Sequence, residues 1–280
     1  MTDLLPMDLH SHSECSPDAQ TPVVEMCAAA IQKKIAVYAI TDHYDLGGTD
    51  SADTNFDQLF AQNIPKIQAA KTLYADQLRL LTGIELGQPM ENPAQTAKAA
   101  AILAAFPFDF VLGSQHNAPG RPDFYFYNPR NEAFDLEKEL SLYFTGLLEV
   151  VRWGRFDSAA HLTYPFRYIL RQGQTNYNFR RWDDHLEAIV RLLAEKGLAL
   201  EINTSGVSEN PSYLMPETRW VQRFRELGGE RLTIGADAHS PDRVGAGIRA
   251  GMAAAAKAGF RRLCYYAERQ PYFLSLADFK

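Results

Sequence analysis

Asp8-Leu9-His10-Ser11-His12 is the stretch of sequence that says most about the fold and the site. The apolar run Leu4–Leu9 predicts a short strand, and two histidines one residue apart come at its end. Side chains i and i+2 of an extended chain point the same way, so we expect His10 and His12 to lie side by side. Imidazole is a common ligand of divalent metals. A single pair of this kind is weak evidence, so a metal site needs further ligands from other strand ends.

The composition is that of an ordinary soluble protein. Its 280 residues are 46% hydrophobic and 22% charged, which is enough for one large domain with a substantial core. The net charge of −6 gives no reason to expect nucleic acid or an anionic membrane as a partner. We see no signal peptide or membrane-spanning run, and three unpatterned cysteines favour reduced thiols. We therefore expect a cytoplasmic protein.

Short apolar runs alternate with longer amphipathic segments along the chain. The runs predicted as strands are Leu4–Leu9, Ile35–Ile40, Leu78–Ile84, Phe108–Gly113, Leu147–Val150, Phe156–Leu162, Leu198–Ile202, Leu232–Gly235 and Gly259–Tyr265. The segments predicted as helices are Pro22–Lys33, Phe56–Asp76, Pro93–Phe106, Glu132–Phe144, Arg180–Glu195, Pro216–Leu227 and Val244–Lys257. This alternation is typical of a parallel α/β protein, and seven or eight units favour a barrel, although periodicity alone leaves a doubly wound sheet open. The loops at 44–56, 117–130 and 203–216 are long enough to act as lids.

Histidines and acids recur where the predicted strands end. Glu85 and Asp237 each follow a strand, and Asp237 and His239 repeat the i, i+2 spacing of the opening pair. His185 lies within a predicted helix, and we interpret it as a surface histidine. Catalytic groups of α/β barrels come from the C-terminal ends of the strands. Six of the seven histidines are placed this way, namely His10, His12, His43, His116, His161 and His239.

The ligand types predict more than one metal ion. Imidazole and carboxylate without thiolate suit Zn²⁺, Mn²⁺ or Fe²⁺. The ligands are too many for one ion, so we expect two or three clustered ions with Glu85 as the bridging carboxylate. Paired metals generate hydroxide from a bridging water and hold the oxygens of an in-line displacement at phosphorus. The cluster therefore indicates hydrolysis, with phosphate esters as the leading class and amides as the second.

Taken together, these segments resemble the motifs of the PHP (polymerase and histidinol phosphatase) superfamily. The segments that carry the resemblance are Asp8–His12, Thr41–His43, Gly83–Glu85, Gly113–Asn117, His161 and Gly235–Ser240. Within the superfamily, three further stretches are similar to the bacterial histidinol-phosphatases, namely Asp123–Phe126, His161–Tyr168 and Glu201–Gly206. The resemblance implies a single PHP domain over residues 1–280, folded as a distorted (β/α)₇ TIM-like barrel with a trinuclear metal centre at the C-terminal ends of its strands.

The resemblance also implies which residues hold each metal. In order, the three sites are His10, His12, Glu85 and Asp237; Glu85, His116 and His161; and His43, His239 and Asp18. Glu14 and Cys15 are the alternatives to Asp18 in the third site.

The activity that the resemblance implies is that of a phosphoric monoester hydrolase in histidine biosynthesis. A metal-bridging hydroxide would attack L-histidinol phosphate to give L-histidinol and phosphate. The residues expected to contact the substrate are Arg167, Arg155 and Asn117, with Arg243 as a weaker candidate for the phosphate. The residues expected to act in catalysis are Glu85, Asp42 and His239.

Other functions remain open at this stage. The family's sixth motif often continues with basic residues, whereas this chain continues Val207-Ser208-Glu209-Asn210. A PHP phosphoesterase acting on a nucleotide, a sugar phosphate or phosphotyrosine is therefore the main alternative. A non-catalytic PHP module is disfavoured by the complete ligand set, and an amidohydrolase by the lack of a lysine at the strand ends. We expect a small phosphorylated substrate and a monomer or homodimer.

Overall fold

The computed structural model describes residues 4–48, 54–131, 134–209 and 212–279. Its strands are β1 (Leu5–Asp8), β2 (Ile35–Ile40), β3 (His43–Asp45), β4 (Arg79–Gly87), β5 (Phe110–Ser114), β6 (Ser158–Ala159), β7 (Ala199–Asn203), β8 (Leu232–Gly235), β9 (Arg262–Ala267) and β10 (Gln270–Ser275). Its α-helices are α1 (Val23–Gln32), α2 (Phe56–Leu73), α3 (Pro93–Ala105), α4 (Leu136–Trp153), α5 (Tyr164–Arg171), α6 (Asp183–Lys196), α7 (Thr218–Glu226) and α8 (Ile248–Lys257). Short 3₁₀ helices cover Phe124–Phe126, Phe179–Trp182 and Leu276–Phe279.

Seven parallel strands form a barrel that is nearly closed. They lie side by side in the order β1, β2, β4, β5, β6, β7, β8, with helices between successive strands. The first and last strands also meet, because the backbone N–H of Leu9 donates to the Ile234 carbonyl at 3.0 Å and that of His12 donates to the Ala238 carbonyl at 2.8 Å. The predicted distorted TIM-like barrel is thus confirmed, and all C-terminal strand ends face one side.

The strand residues are buried because helices cover the outside of the sheet and side chains fill its interior. Every residue of β1, β5, β7 and β8 is buried, as is typical of parallel sheets. The short strand β3 follows β2 and pairs with the end of β4, which places His43 opposite Glu85. This strand pairing alone brings two predicted ligands together.

The strand predicted at Leu147–Val150 is wrong, because these residues belong to the helix α4. Their apolar run continues a helical stripe, in which Leu140, Phe144, Leu147 and Val151 are buried on one face. The helix begins at Asp135, whose side chain accepts from the Lys138 N–H, and it ends at a left-handed Gly154. The true strand β6 is only two residues long, and the predicted strand Phe156–Leu162 continues past it into the turn before the helix α5.

The predicted strand Gly259–Tyr265 exists only in part and does not join the barrel. Its residues from Arg262 onward form β9, which pairs in antiparallel register with β10. The hairpin turn is held at the N-terminal end of the barrel, where Arg269 pairs with Asp157 at 2.6 Å and the Glu268 N–H donates to Asp109 at 3.0 Å. The hairpin therefore covers the end of the barrel opposite the predicted site.

Two further features concern the helices and loops. The helix α2 runs without a break through Pro65. No helix in the described ranges is long and apolar enough to cross a bilayer. Of the three predicted lid loops, residues 49–53 and 210–211 lie outside the described residues. The loop at 117–130 is described, and it contributes Tyr125 and Phe126 to the wall of the cavity described below.

Candidate metal centre

Glu85 lies at the centre of the candidate site. It is fully buried near the end of β4, and each of its two oxygens lies within about 3 Å of two imidazole nitrogens, while His12 Nε2 lies 3.6 Å from Oε2. Oε2 is 3.1 Å from His10 Nε2 and 3.0 Å from His43 Nδ1. Oε1 is 3.0 Å from His116 Nε2 and 2.8 Å from His161 Nε2. One carboxylate therefore connects ligands from four different strand ends, as a bridging carboxylate would.

Asp237 holds the other side of the opening pair of histidines. Its Oδ1 is 3.2 Å from His12 Nε2 and 3.6 Å from His10 Nε2. Its backbone has a φ of +53°, a conformation that non-glycine residues rarely adopt and that is often found at functional sites. The i, i+2 spacing at β1 and after β8 thus does converge on one centre.

Asp18 completes a third group at the more exposed edge of the cluster. Its Oδ2 is 2.9 Å from His239 Nε2 and 3.5 Å from His43 Nε2. Glu14, one of the alternatives, is directed elsewhere and pairs with Lys66 at 3.0 Å. The structure therefore places Asp18 where the third site was expected.

The donor set fits metal ions. Among the described residues, His12 Nε2 and His43 Nδ1 are buried and lie 3.2 and 3.0 Å from carboxylate oxygens without forming an aligned hydrogen bond, and the buried His161 Nδ1 has no hydrogen-bond partner. Buried polar atoms are rarely left unpaired unless a ligand completes them. Ligand atoms within 4.8 Å of one another form four overlapping groups, namely His12, His43 and His239; His10, His12 and Asp237; His10, Glu85 and His161; and His43, Glu85 and His116. Two of these groups share Glu85, and each group shares a residue with another, so the donor set suits cations at adjacent positions.

The charges of the cluster are strongly coupled. Burial disfavours the charged form of Glu85, but the attraction of His10, His43 and His116 outweighs it and holds the pKa of Glu85 well below its usual range. Burial likewise opposes protonation of His116, yet attraction by Glu85 raises the pKa of His116 to about 10. Burial lowers the pKa of His12 to about 3, and the neighbouring histidines add to that effect. Metal ions would take the place of these shared protons.

Two carboxylates that support the ligands were missed in the sequence. Glu201 accepts at Oε1 from Nδ1 of His10 at 2.8 Å and at Oε2 from the backbone N–H of His161 at 2.8 Å. Asp45 Oδ1 is 3.3 Å from His116 Nδ1. Such carboxylates fix the tautomer of a metal-binding histidine and orient its ring. The available signal was an acid inside the apolar run Leu198–Ile202, quoted as part of a motif but given no role.

Asp42 lies behind the ligands and not in the cavity. It is buried and accepts from Ser13 Oγ at 2.7 Å, from Ser16 Oγ at 3.0 Å and from Asn63 Nδ2. Ser16 Oγ is also 3.1 Å from Nδ1 of His12. Asp42 is thus connected to the metal ligands through one hydroxyl, as a support for His12.

A cavity of about 530 Å³ opens directly above the cluster. Arg167, Arg171 and Asn117 line it together with the more exposed ligands. Arg167 donates to Glu209 and to Ser205, and its guanidinium lies 5.6 Å from the ring of Tyr168.

The structure does not bring three other predicted or considered residues to this cavity. Arg155 is exposed at the N-terminal side of β6, with its guanidinium over the ring of Trp153, because it precedes its strand instead of following it. Arg243 donates to the Ser205 carbonyl at 3.2 Å. His185 lies on α6, remote from the cluster as expected, but it is half-buried beside Trp182.

The fold and the site together define an α/β barrel with a cluster of imidazole and carboxylate groups, suited to metal ions, at its C-terminal strand ends. Residues 8–205 match the PHP domain family. Since this match covers well over half of the chain, the protein belongs to the PHP family, as the motifs indicated.

Similar proteins match the chain over most of its length. The chain is 28% identical to the histidinol-phosphatase of Lactococcus lactis over 268 residues, which are 93% of this chain and 94% of the relative. It is 29% identical to a protein named "Probable histidinol-phosphatase" from Clostridium acetobutylicum over 246 residues, or 85% and 88% of the two chains. The crystal structure of the Lactococcus lactis histidinol phosphate phosphatase, complexed with zinc, L-histidinol and phosphate, superposes with a TM-score of 0.79 at 24% identity. It covers 96% of this chain and 99% of that one.

Proposed function

We propose that this protein is a metal-dependent phosphomonoesterase that hydrolyses L-histidinol phosphate to L-histidinol and phosphate. The observation that carries the proposal is the buried carboxylate of Glu85, which faces four imidazoles at the floor of a cavity lined by two arginines. The names of the relatives, which match the chain over nearly its whole length, support this choice of substrate.

Two or three divalent ions, Zn²⁺, Mn²⁺ or Fe²⁺, are proposed for the centre. The residues that would hold them are His10, His12, Asp18, His43, Glu85, His116, His161, Asp237 and His239. When bound, such ions supply an activated hydroxide and neutralise charge on the phosphoryl oxygens. Glu85 and His239 line the cavity and are proposed as the catalytic residues among this set.

The arginines of α5 form the anion-binding end of the cavity. Arg167 and Arg171 are one helical turn apart on α5, and both line the cavity. A guanidinium offers parallel N–H donors that match the oxygens of a phosphate. Asn117 lines the same space, although its Nδ2 already donates to the Ala118 carbonyl at 2.8 Å. We propose that Arg167 holds the phosphoryl group against the metal centre.

The part of the cavity wall around Asp123 suits a cationic, aromatic leaving group. Asp123 lines the cavity and accepts from the hydroxyl of Tyr164 at 2.9 Å. Burial raises the pKa of Asp123 above its usual value, and a bound ammonium would favour the charged carboxylate again. The exposed rings of Tyr125 and Phe126 flank it at the mouth. Histidinol carries an ammonium and an imidazole, so an acid beside aromatic rings matches it better than a neutral sugar.

A panel of phosphate esters tests the proposal. The purified protein is assayed for phosphate release from histidinol phosphate, a nucleoside monophosphate, a sugar phosphate and phosphotyrosine, with its bound metals measured in the same sample. We expect kcat/KM for histidinol phosphate to exceed that of the others by at least about 100-fold, since the site would otherwise leave buried polar groups unpaired. Equal or better turnover of an unrelated ester would overturn the substrate assignment.

A further inference from the structure

The guanidinium of Arg167 is already occupied by a carboxylate. Its Nε and Nη2 donate to the same oxygen, Oε1 of Glu209, at 2.9 and 2.7 Å. Its Nη1 donates to Ser205 Oγ at 2.9 Å. The edge formed by Nε and Nη2 is one of the two edges with which a guanidinium binds an oxyanion through parallel hydrogen bonds. Glu209 therefore takes the donors that a phosphate oxygen could use.

The same carboxylate oxygen is also close to the second arginine of the cavity. Arg171 Nε lies 3.9 Å from Glu209 Oε1. Both guanidinium groups lie near the ring of Tyr168, at 5.6 and 5.5 Å from its centre. The side chains of Arg167 and Glu209 are only 14% and 21% exposed, so water screens this pair less than an ordinary surface pair. One internal anion thus interacts with both cations that line the cavity.

We propose that Glu209 competes with phosphate for Arg167 and so weakens the binding of phosphoryl groups at this site. An entering phosphate either displaces the carboxylate from the Nε–Nη2 edge or is bound beside a second negative charge. Both situations lower the affinity, for the phosphate product as well as for the substrate. The weaker binding would favour release of phosphate after each turnover. In this respect the inference rests on the proposed phosphatase function.

A purely structural role for Glu209 makes the opposite prediction. If Glu209 only held Arg167 in place, its removal would loosen the arginine and weaken phosphate binding. Glutamine separates the two roles, because its amide oxygen can still accept from both Nε and Nη2 while the negative charge is gone. The sign of the change in phosphate affinity therefore decides between competition and support.

The experiment measures the binding of inorganic phosphate to the metal-loaded protein by titration calorimetry. In Glu209→Gln we expect the dissociation constant for phosphate to fall about three- to tenfold, as expected for removal of a partly screened charge next to an anion site. The amount of bound metal should be unchanged, since among the described residues no contact joins Glu209 to a proposed metal ligand. Glu217→Gln is the matched control, because Glu217 pairs with Arg219 at 3.0 Å after the same strand. It should leave phosphate binding unchanged.

An unchanged or increased dissociation constant in Glu209→Gln would overturn the proposal. The effect must also disappear when Arg167→Ala is combined with Glu209→Gln, and its persistence there would equally refute competition for Arg167. Failure of the proposed function is a separate result. If histidinol phosphate is not hydrolysed, the calorimetric titration with inorganic phosphate still gives the sign of the Glu209 effect.

Discussion

Replacement of Glu201 by glutamine should weaken metal binding, although it removes none of the proposed metal ligands. The carboxylate accepts from the Nδ1–H of His10 through one oxygen and from the backbone N–H of His161 through the other, both at 2.8 Å. This arrangement keeps the proton of His10 on Nδ1 and directs Nε2 to Glu85. The backbone of His161 has a φ of +24°, a strained conformation that Glu201 helps to hold.

A glutamine can satisfy only one of these two donors. If its oxygen faces His161, its NH₂ faces Nδ1 of His10, and the proton of His10 must move to Nε2, where a metal would bind. If its oxygen faces His10, its NH₂ opposes the N–H of His161. The first arrangement protonates the nitrogen that a metal would bind, and the second leaves the buried backbone N–H of His161 unpaired, which costs about 1–3 kcal/mol. The affinity for the metal should therefore fall about 10- to 100-fold.

The assay is a titration of metal-free protein with Zn²⁺ against a competing chelator, followed by measurement of metal retained after gel filtration. Far-UV circular dichroism of the metal-free variant shows whether the fold is intact. Glu226→Gln serves as the control, because Glu226 lies on the exposed face of α7 and contacts Gln222 and Arg223. Wild-type metal affinity in a folded Glu201→Gln protein would refute the assigned role of Glu201.

Three further predictions concern the substrate and the charge of the site. Arg167→Ala should lower kcat/KM for histidinol phosphate about 30- to 100-fold with bound metal retained, because a charge-assisted contact to phosphate is lost; an unchanged steady-state value would remove Arg167 from the site. Asp123→Asn should lower kcat/KM for histidinol phosphate about tenfold but leave p-nitrophenyl phosphate within about twofold, and equal losses on both esters would argue against an ammonium contact. In metal-free protein, burial opposes protonation of His116, but attraction by Glu85 raises the pKa of His116 to about 10. Protonation of His116 therefore stabilises the folded state. This stabilisation is complete below about pH 6.5 and is lost as the pH rises through about 10. The melting temperature of chelator-treated protein should therefore fall from about pH 7 to about pH 10, and a rise over this range would contradict the assigned charge state.

The positions of the proposed metal ligands were predictable because they depend on local sequence. A strand in a parallel barrel directs whatever follows it to one end, so His10, Glu85 and Asp237 could be placed without knowing any long-range contact. The alternation of strands and helices favoured a barrel but left a doubly wound sheet open, and the resemblance to the PHP family decided between the two, even though β6 has only two residues. The pairing of β3 with β4 then brought His43 to Glu85.

The supporting residues could not be placed in the same way. Glu201 reaches His10 across the barrel interior, and Asp45 reaches His116 from a neighbouring strand end, so both contacts depend on packing that periodicity does not show. Arg155 was misplaced for a related reason. It follows the strand predicted at Leu147–Val150, but those residues are helical, and Arg155 instead comes just before β6 at the other end of the barrel.

The hairpin β9–β10 also could not be predicted from the sequence pattern. An apolar run such as Leu263–Tyr266 fits an eighth barrel strand as well as a covering hairpin. What decides between them is the closure of β1 against β8, which leaves no edge for another strand to join.

The most direct test of the central claim is to measure bound metal and histidinol phosphate hydrolysis together in Glu85→Gln. Glutamine has the size of glutamate but cannot bridge two cations as a carboxylate does. Wild-type protein is expected to hold two or three divalent ions per chain, and the variant to lose at least one of them together with nearly all hydrolysis. Full hydrolysis by the variant, or by wild-type protein stripped of metal, would contradict a reaction built on this cluster.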